Sequence, residues 1–232
     1  MKIEVLPDAE AVSRRGAEFI ARLAKDAVDE RERFVMAVSG GNTPWQMFRN
    51  MATMDVPWKN IHVVQVDERV APLGDSDRNL TQLQSSLLAH VPLPAQQIHL
   101  MQVEEADLNA AAVRYAGLLE QIAGSPPVLD LVELGLGLDG HTASLIPDDL
   151  ALEAKGADVT VTSKYQGRRR MTLTYPIINR ARCILWVVTG SAKAEVLARL
   201  ALGDATMPAG RVNRERAFLL ADREAAAYAL SE

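Results

Sequence analysis

The sequence predicts an α/β fold built on a mostly parallel sheet with helices on both faces. Three observations carry this expectation. Short apolar runs of strand length alternate with segments of helical periodicity. Most of those runs are apolar throughout rather than at every second residue, as strands covered on both faces are. Polar or glycine-rich clusters stand directly after them, where open parallel sheets place their ligands.

Taken in order, Val12, Phe19, Ile20, Leu23 and Ala27 recur at helical spacing between Asp8 and Glu30, with charged residues between them, and predict an amphipathic opening helix. Phe34 to Val38 reads as a buried strand that runs into Ser39-Gly40-Gly41-Asn42-Thr43-Pro44, a glycine turn and a helix with proline in its first turn. Ile61 to Val66 is the next strand and ends in Asp67-Glu68-Arg69; after a polar loop, Asn79 to Leu88 is helical. A helix from Leu108 to Ile122 leads through the turn Ser125-Pro126-Pro127 to a strand from Leu129 to Leu134, followed by Gly135-Leu136-Gly137-Leu138-Asp139-Gly140-His141. Val159 to Thr162 and Met171 to Thr174 read as strands around the basic turn Gln166-Gly167-Arg168-Arg169-Arg170. Ile184 to Val188 runs into Thr189-Gly190-Ser191-Ala192-Lys193 and a helix, and Ala217 to Leu220 is the last strand.

A chain of 232 residues without a linker, repeat or low-complexity segment fits one domain over 1–232. With 48% hydrophobic and 24% charged residues it can bury a sizeable core, and a net charge of -5 gives no basic footprint for nucleic acid. The single cysteine, Cys183, lies in an apolar run, which rules out a disulfide within the chain and fits a reducing compartment. Met1-Lys2-Ile3-Glu4-Val5 lacks an apolar signal core, and no window approaches the roughly 20 apolar residues a membrane span needs. The expectation is a cytoplasmic protein with a small-molecule substrate, no nucleic-acid or membrane partner, and a monomeric or small homo-oligomeric state.

The post-strand clusters hold the candidate chemistry. His141 on a glycine turn is a residue whose neutral form accepts a proton near pH 7, and Asp139 is the carboxylate that could hold its tautomer. Gly137, with its neighbours Gly135 and Gly140, allows close backbone approach or positive φ. Arg69 and Arg78 offer forked donors for a phosphate, and Asp67 a carboxylate for a sugar hydroxyl or for orienting an arginine. The amides of Ser39, Gly40 and Gly41 at a helix start would suit an anion, and Lys193 is a point charge one turn into another helix. Taken singly, each has a plain structural alternative: a satisfied histidine, a solvated turn, a helix cap, a surface lysine. His62, His90 and His99 stay with that alternative.

No metal is expected, since four histidines and one cysteine show no ligand spacing, and no cofactor is expected either. Gly135 to Gly140 has the Gly-x-Gly-x-x-Gly form of a dinucleotide loop, but its third glycine is followed at once by His141 and not by a helix leading to an acidic strand tip. No Gly-x-Ser-x-Gly elbow is present.

Together, Ser39-Gly40-Gly41, Val66-Asp67-Glu68-Arg69, Gly137 to Leu145, Met171-Thr172-Leu173-Thr174 and Thr189 to Ala194 resemble the 6-phosphogluconolactonases, which form a wider group with the glucosamine-6-phosphate deaminases. The resemblance implies a modified Rossmann-type sheet, of the group that also holds ribose-5-phosphate isomerase and CoA transferase. It further implies hydrolysis of 6-phosphoglucono-δ-lactone in the oxidative pentose phosphate pathway, His141 as general base, and Arg69 and Lys193 near the phosphate. Backbone amides of the glycine loops would stabilise the oxyanion. The chain departs from the family pattern at Arg78, at Glu133 inside a strand, in the basic run Arg168 to Arg170, and at Leu220-Ala221-Asp222. A deaminase would carry a glutamate in the run after the histidine, where this chain has Thr142-Ala143-Ser144-Leu145-Ile146-Pro147. A sugar-phosphate sensor would need a DNA-binding module, and one helix before Phe34 is too little for it.

Overall fold

The computed structural model describes residues 1–229, and its strands form two sheets. The larger has seven strands: β1 (Lys2–Leu6), β2 (Phe34–Val38), β3 (Ile61–Gln65), β5 (Ile98–His99), β6 (Leu131–Leu134), β9 (Cys183–Val188) and β10 (Ala217–Asp222), in the order β1-β10-β9-β6-β2-β3-β5. Every pairing in it is parallel. The smaller, antiparallel sheet is β4 (Asp67–Arg69), β8 (Arg170–Leu173) and β7 (Val159–Val161).

Alternation within the buried strands explains why both faces carry helices. Val35 and Ala37 enter one core while Phe34, Met36 and Val38 enter the other; Ile184, Trp186 and Val188 divide from Leu185 and Val187 in the same way. On one face α1 (Ala9–Arg31) and α2 (Asn42–Met51) supply Ile20, Met47 and Phe48; α3 (Asn79–Leu83) and its π-turn, Gln84–Leu88, add Leu83 and Leu87. The other face takes Leu119 from α4 (Leu108–Ala123), Ile177 from α5 (Tyr175–Arg180) and Leu197 from α6 (Ala194–Leu202). No helix among the described residues is long and apolar enough to cross a membrane.

Several boundaries differ from the sequence expectation. The opening helix starts at Ala9, with Asp8 as its cap: the Asp8 carboxylate accepts from the Ala11 amide at 2.8 Å. β1 and β5 were not anticipated. The run expected as one strand from Ile61 into a polar loop is divided: β3 ends at Gln65, and Asp67–Arg69 leaves the parallel sheet to pair with β8.

From β2 the chain proceeds through β3 to one edge, and from β6 through β9 and β10 towards the other. The order therefore reverses between β2 and β6, and a crevice opens beyond their carboxyl ends. The residues following both strands line it.

Candidate active site

The crevice is a cleft of about 620 Å³. Of the residues singled out in the sequence, it brings together Ser39, Gly40, Gly41, Asp67, Arg69, Gly137, Asp139, His141 and Lys193. His62, His90 and His99 do not line it. His62 and His99 instead stack on each other with centroids 5.3 Å apart, and burial holds His99 down to about 4.

His141 and Asp139 are bound within one turn. The imidazole Nδ1 lies 2.5 Å from Asp139 Oδ1, which also accepts the His141 amide at 3.2 Å. With its Nδ1–H donating a hydrogen bond to the carboxylate, the neutral ring keeps its lone pair on Nε2. Burial acts to raise the Asp139 carboxyl, but the adjacent His141 charge and hydrogen bonds from His141 and Tyr165 hold it below the usual range. Asp139 is therefore a carboxylate at neutral pH.

Gly137 is required by this dyad. A Cβ there would stand 2.1 Å from His141 Nδ1 and 2.7 Å from Asp139 Oδ1. Its role is room for the side chains and not the positive φ that the sequence also allowed; Gly140, at φ 82°, is the glycine that needs the left-handed region. The Gly137 amide donates to the His141 carbonyl at 2.8 Å and the Gly140 amide to the Gly137 carbonyl at 3.1 Å. These two amides close the turn and are not available to an oxyanion.

Around the dyad stand the cations. Lys193 ends a 3-10 turn before α6, and its Nζ donates to the Leu136 carbonyl at 2.6 Å. Burial lowers its affinity for a proton, and attraction to Asp139 partly restores it. Arg69 donates to the Asp77 carbonyl at 2.9 Å. Arg170, left open by the sequence, is buried at the cleft wall, 3.4 Å from Ser144 Oγ, which in turn donates to Asp67 Oδ2 at 2.6 Å. Of its neighbours in the basic run, Arg168 turns away to Asp75 and Asp77, and Arg169 reaches only the Thr162 carbonyl.

Arg78, read from the sequence as a phosphate contact, does not reach the cleft. It is 2% exposed, donates to the Ala71 carbonyl at 2.8 Å and lies 3.2 Å from Glu68, an ion pair without hydrogen-bond alignment. The fully buried Glu68 carboxylate needs that counter-charge, which decides the side of the loop on which the arginine folds.

The Ser39 loop is fixed from below. Ser39 donates through its amide (2.9 Å) and hydroxyl (2.8 Å) to Glu133 Oε2, across the β2–β6 junction. The N-cap of α2, Gly41, has φ 136° and no side-chain cap; Pro44 has no N–H and the Trp45 amide donates to the Gly41 carbonyl at 3.1 Å, which leaves the amides of Asn42 and Thr43, both lining the cleft, without a protein acceptor. Thr43 and Thr189 hydroxyls meet at 2.6 Å and join the two helix starts, while Asp222 receives the Gly190 amide. Among the described residues no group of three or more His, Cys, Asp or Glu is placed to hold a metal ion. Sequence reasoning assigned no role to Tyr165, Asn79 or the threonine pair: Thr43 and Thr189 lie within glycine clusters that were read for their backbone and their lysine, and the partners of Tyr165 and Asn79 lie in other segments.

Comparison with known proteins bears on this arrangement. A protein from Nostoc sp. named 6-phosphogluconolactonase is 36% identical over 202 residues, which cover 85% of this chain and 84% of its own. One of the same name from Mycobacterium tuberculosis is 35% identical over 240 residues, 97% of each chain. Among solved structures, the 6-phosphogluconolactonase of Thermotoga maritima superposes with a TM-score of 0.83 at 26% identity, covering 95% of this chain and 98% of that one. The family model described as glucosamine-6-phosphate isomerases/6-phosphogluconolactonase matches residues 7–220, a span that contains every cleft-lining loop, and the chain belongs to that family.

Proposed function

We propose that this protein hydrolyses 6-phosphoglucono-δ-lactone to 6-phosphogluconate, the second step of the oxidative pentose phosphate pathway. The observation that carries the reading is the Asp139–His141 dyad in one cleft with Lys193, Arg69 and Arg170. The names of the relatives support the same reaction. Anionic phosphate is attracted by the cations and by the open amides at the start of α2, which also carry the positive end of the helix dipole. His141 Nε2 takes a proton from water, the hydroxide adds to the lactone carbonyl, and the tetrahedral intermediate collapses with cleavage of the ring ester bond. The imidazolium returns its proton to the departing ring oxygen, giving the open-chain acid. With the Gly137 and Gly140 amides spent inside the turn, charge on the carbonyl oxygen falls to the side-chain cations rather than to those amides.

The chain works as one sugar-phosphate-binding domain, with cleft residues drawn from both halves of the sequence; residues 230–232 lie outside the described structure. Its single thiol, Cys183, pushed up to about 11 by burial, suits the reducing cytoplasm.

Freshly prepared lactone, followed by pH-stat against its spontaneous hydrolysis, tests the activity. The wild-type protein turns it over, and His141→Ala loses about 10² to 10⁴ in kcat. A variant as fast as wild type would remove His141 from the base role. Ammonia release from glucosamine-6-phosphate would move the reading to a deaminase.

A further inference from the structure

Asp139 has two carboxylate oxygens, and only Oδ1 is occupied by His141. The other, Oδ2, accepts the hydroxyl of Tyr165 at 2.9 Å. Tyr165 comes from the hairpin between β7 and β8, a different part of the cleft wall. Its ring stands edge-on to the His141 imidazole, centroids 5.6 Å apart and planes at 68°, and the Arg170 guanidinium lies 5.0 Å over its face. The hairpin is itself closed by the Tyr165 amide donating to Arg168 at 2.9 Å and the Arg168 amide returning at 3.2 Å. Ring packing, cation and backbone thus hold this phenol in place.

We infer that Tyr165 is a positioning residue of the dyad: its hydroxyl pins the free oxygen of Asp139, so that the carboxylate cannot rotate away from His141, and tempers the basicity that the imidazole feels. The inference rests on the reading of His141 as the base. Tyr165 does not itself transfer a proton in it. Three features argue for this role over a chance contact. Asp139 sits on an exposed turn, where a carboxylate with one anchored oxygen would swing, and the hydroxyl supplies the second anchor. The same ring limits movement of the imidazole from its edge. The charged groups that face the dyad from other elements, Arg170 from β8 and Lys193 before α6, are both cations, so the phenol is the neutral donor that completes the Asp139 shell without adding charge.

Tyr165→Phe keeps the ring against His141 and Arg170 and removes only the hydroxyl. Loss of that hydrogen bond makes Asp139 a stronger partner for imidazolium, so the acid limb of the kcat/KM profile should move to higher pH by roughly half a unit. The value of kcat should fall about tenfold, with KM nearly unchanged, because the lost bond is to a carboxylate and not to substrate. A melting temperature close to wild type separates this from a folding defect. An unmoved acid limb with kcat within twofold of wild type overturns the inference, and so does a raised KM at constant kcat, which would put the hydroxyl on the substrate. His141→Ala measured in the same buffers keeps the two readings apart. If it retains turnover the base reading falls; if it is inactive while Tyr165→Phe matches wild type, only the role of Tyr165 falls.

Discussion

Glu133 places a carboxyl where its neighbours in β6 are leucine and valine, and its burial pushes it up to about 7 although two hydrogen bonds from Ser39 pull the other way. Its second oxygen, Oε1, has no partner, which accounts for the dominance of burial. The folded chain therefore holds a proton that an unfolded chain, with its carboxyl near 4.5, has lost. Stability from the neutral form is full below about 4.5 and is lost as pH rises through about 7, a difference of roughly 3 kcal/mol. Glu133→Gln keeps an acceptor for Ser39 and cannot ionise. Its unfolding free energy in urea should lose this part of the pH dependence between about pH 4.5 and pH 7, and exceed that of wild type above about pH 7. Parallel curves for the two proteins would mean that the carboxylate is accommodated without cost.

At the scale of elements, β4 depends on one buried carboxylate. Glu68 receives the Gln65 side-chain amide at 2.9 Å and the backbone amides of Arg69 (2.8 Å), Asn79 (2.8 Å) and Leu80 (2.9 Å), and it neutralises Arg78. One side chain thus ties a three-residue strand to the first turn of α3. Glu68→Ala strands the Arg78 charge and should cost about 3 to 5 kcal/mol in chemical denaturation; a loss under about 1 kcal/mol would show that the arginine finds water instead. None of this was visible in Asp67-Glu68-Arg69 as a triplet. The strands buried on both faces announced themselves through unbroken apolar runs, and α1 through the helical spacing of Val12, Phe19, Ile20, Leu23 and Ala27. β1 did not, because Lys2-Ile3-Glu4-Val5 alternates in polarity and is ordered only by pairing with β10 at the other end of the chain. β5, two residues long, is likewise made by its neighbour β3. The exit of the chain from the parallel sheet after Gln65 depends on β8, which no local pattern could announce. In the cleft, the positions of Asp139, His141 and Lys193 were legible because glycines and strand ends frame them. Arg78 was misplaced because charge alone does not tell which side of a loop a side chain takes, and Tyr165 was missed because its partner lies in another segment.

Across the molecule, a net charge of -5 surrounds a cleft whose walls carry Arg69, Arg170 and Lys193. Attraction of an anionic substrate is therefore local and sensitive to screening. Raising ionic strength from about 0.02 M to about 0.2 M should increase KM severalfold while leaving kcat nearly unchanged, and Lys193→Ala should flatten that dependence. A KM indifferent to salt would take the cations out of substrate capture.

In the β4–β8 register Arg69 stands directly opposite Arg170, two guanidinium groups on one rung of the ladder; burial weakens the hold of Arg170 on its proton, the Asp67 charge opposes this and the repulsion from Arg69 adds to it. Like charges so arranged strain the ladder. A doubly negative guest lodged between them would turn that strain into cohesion, so the wall of the cleft would become firmest in the act of being filled.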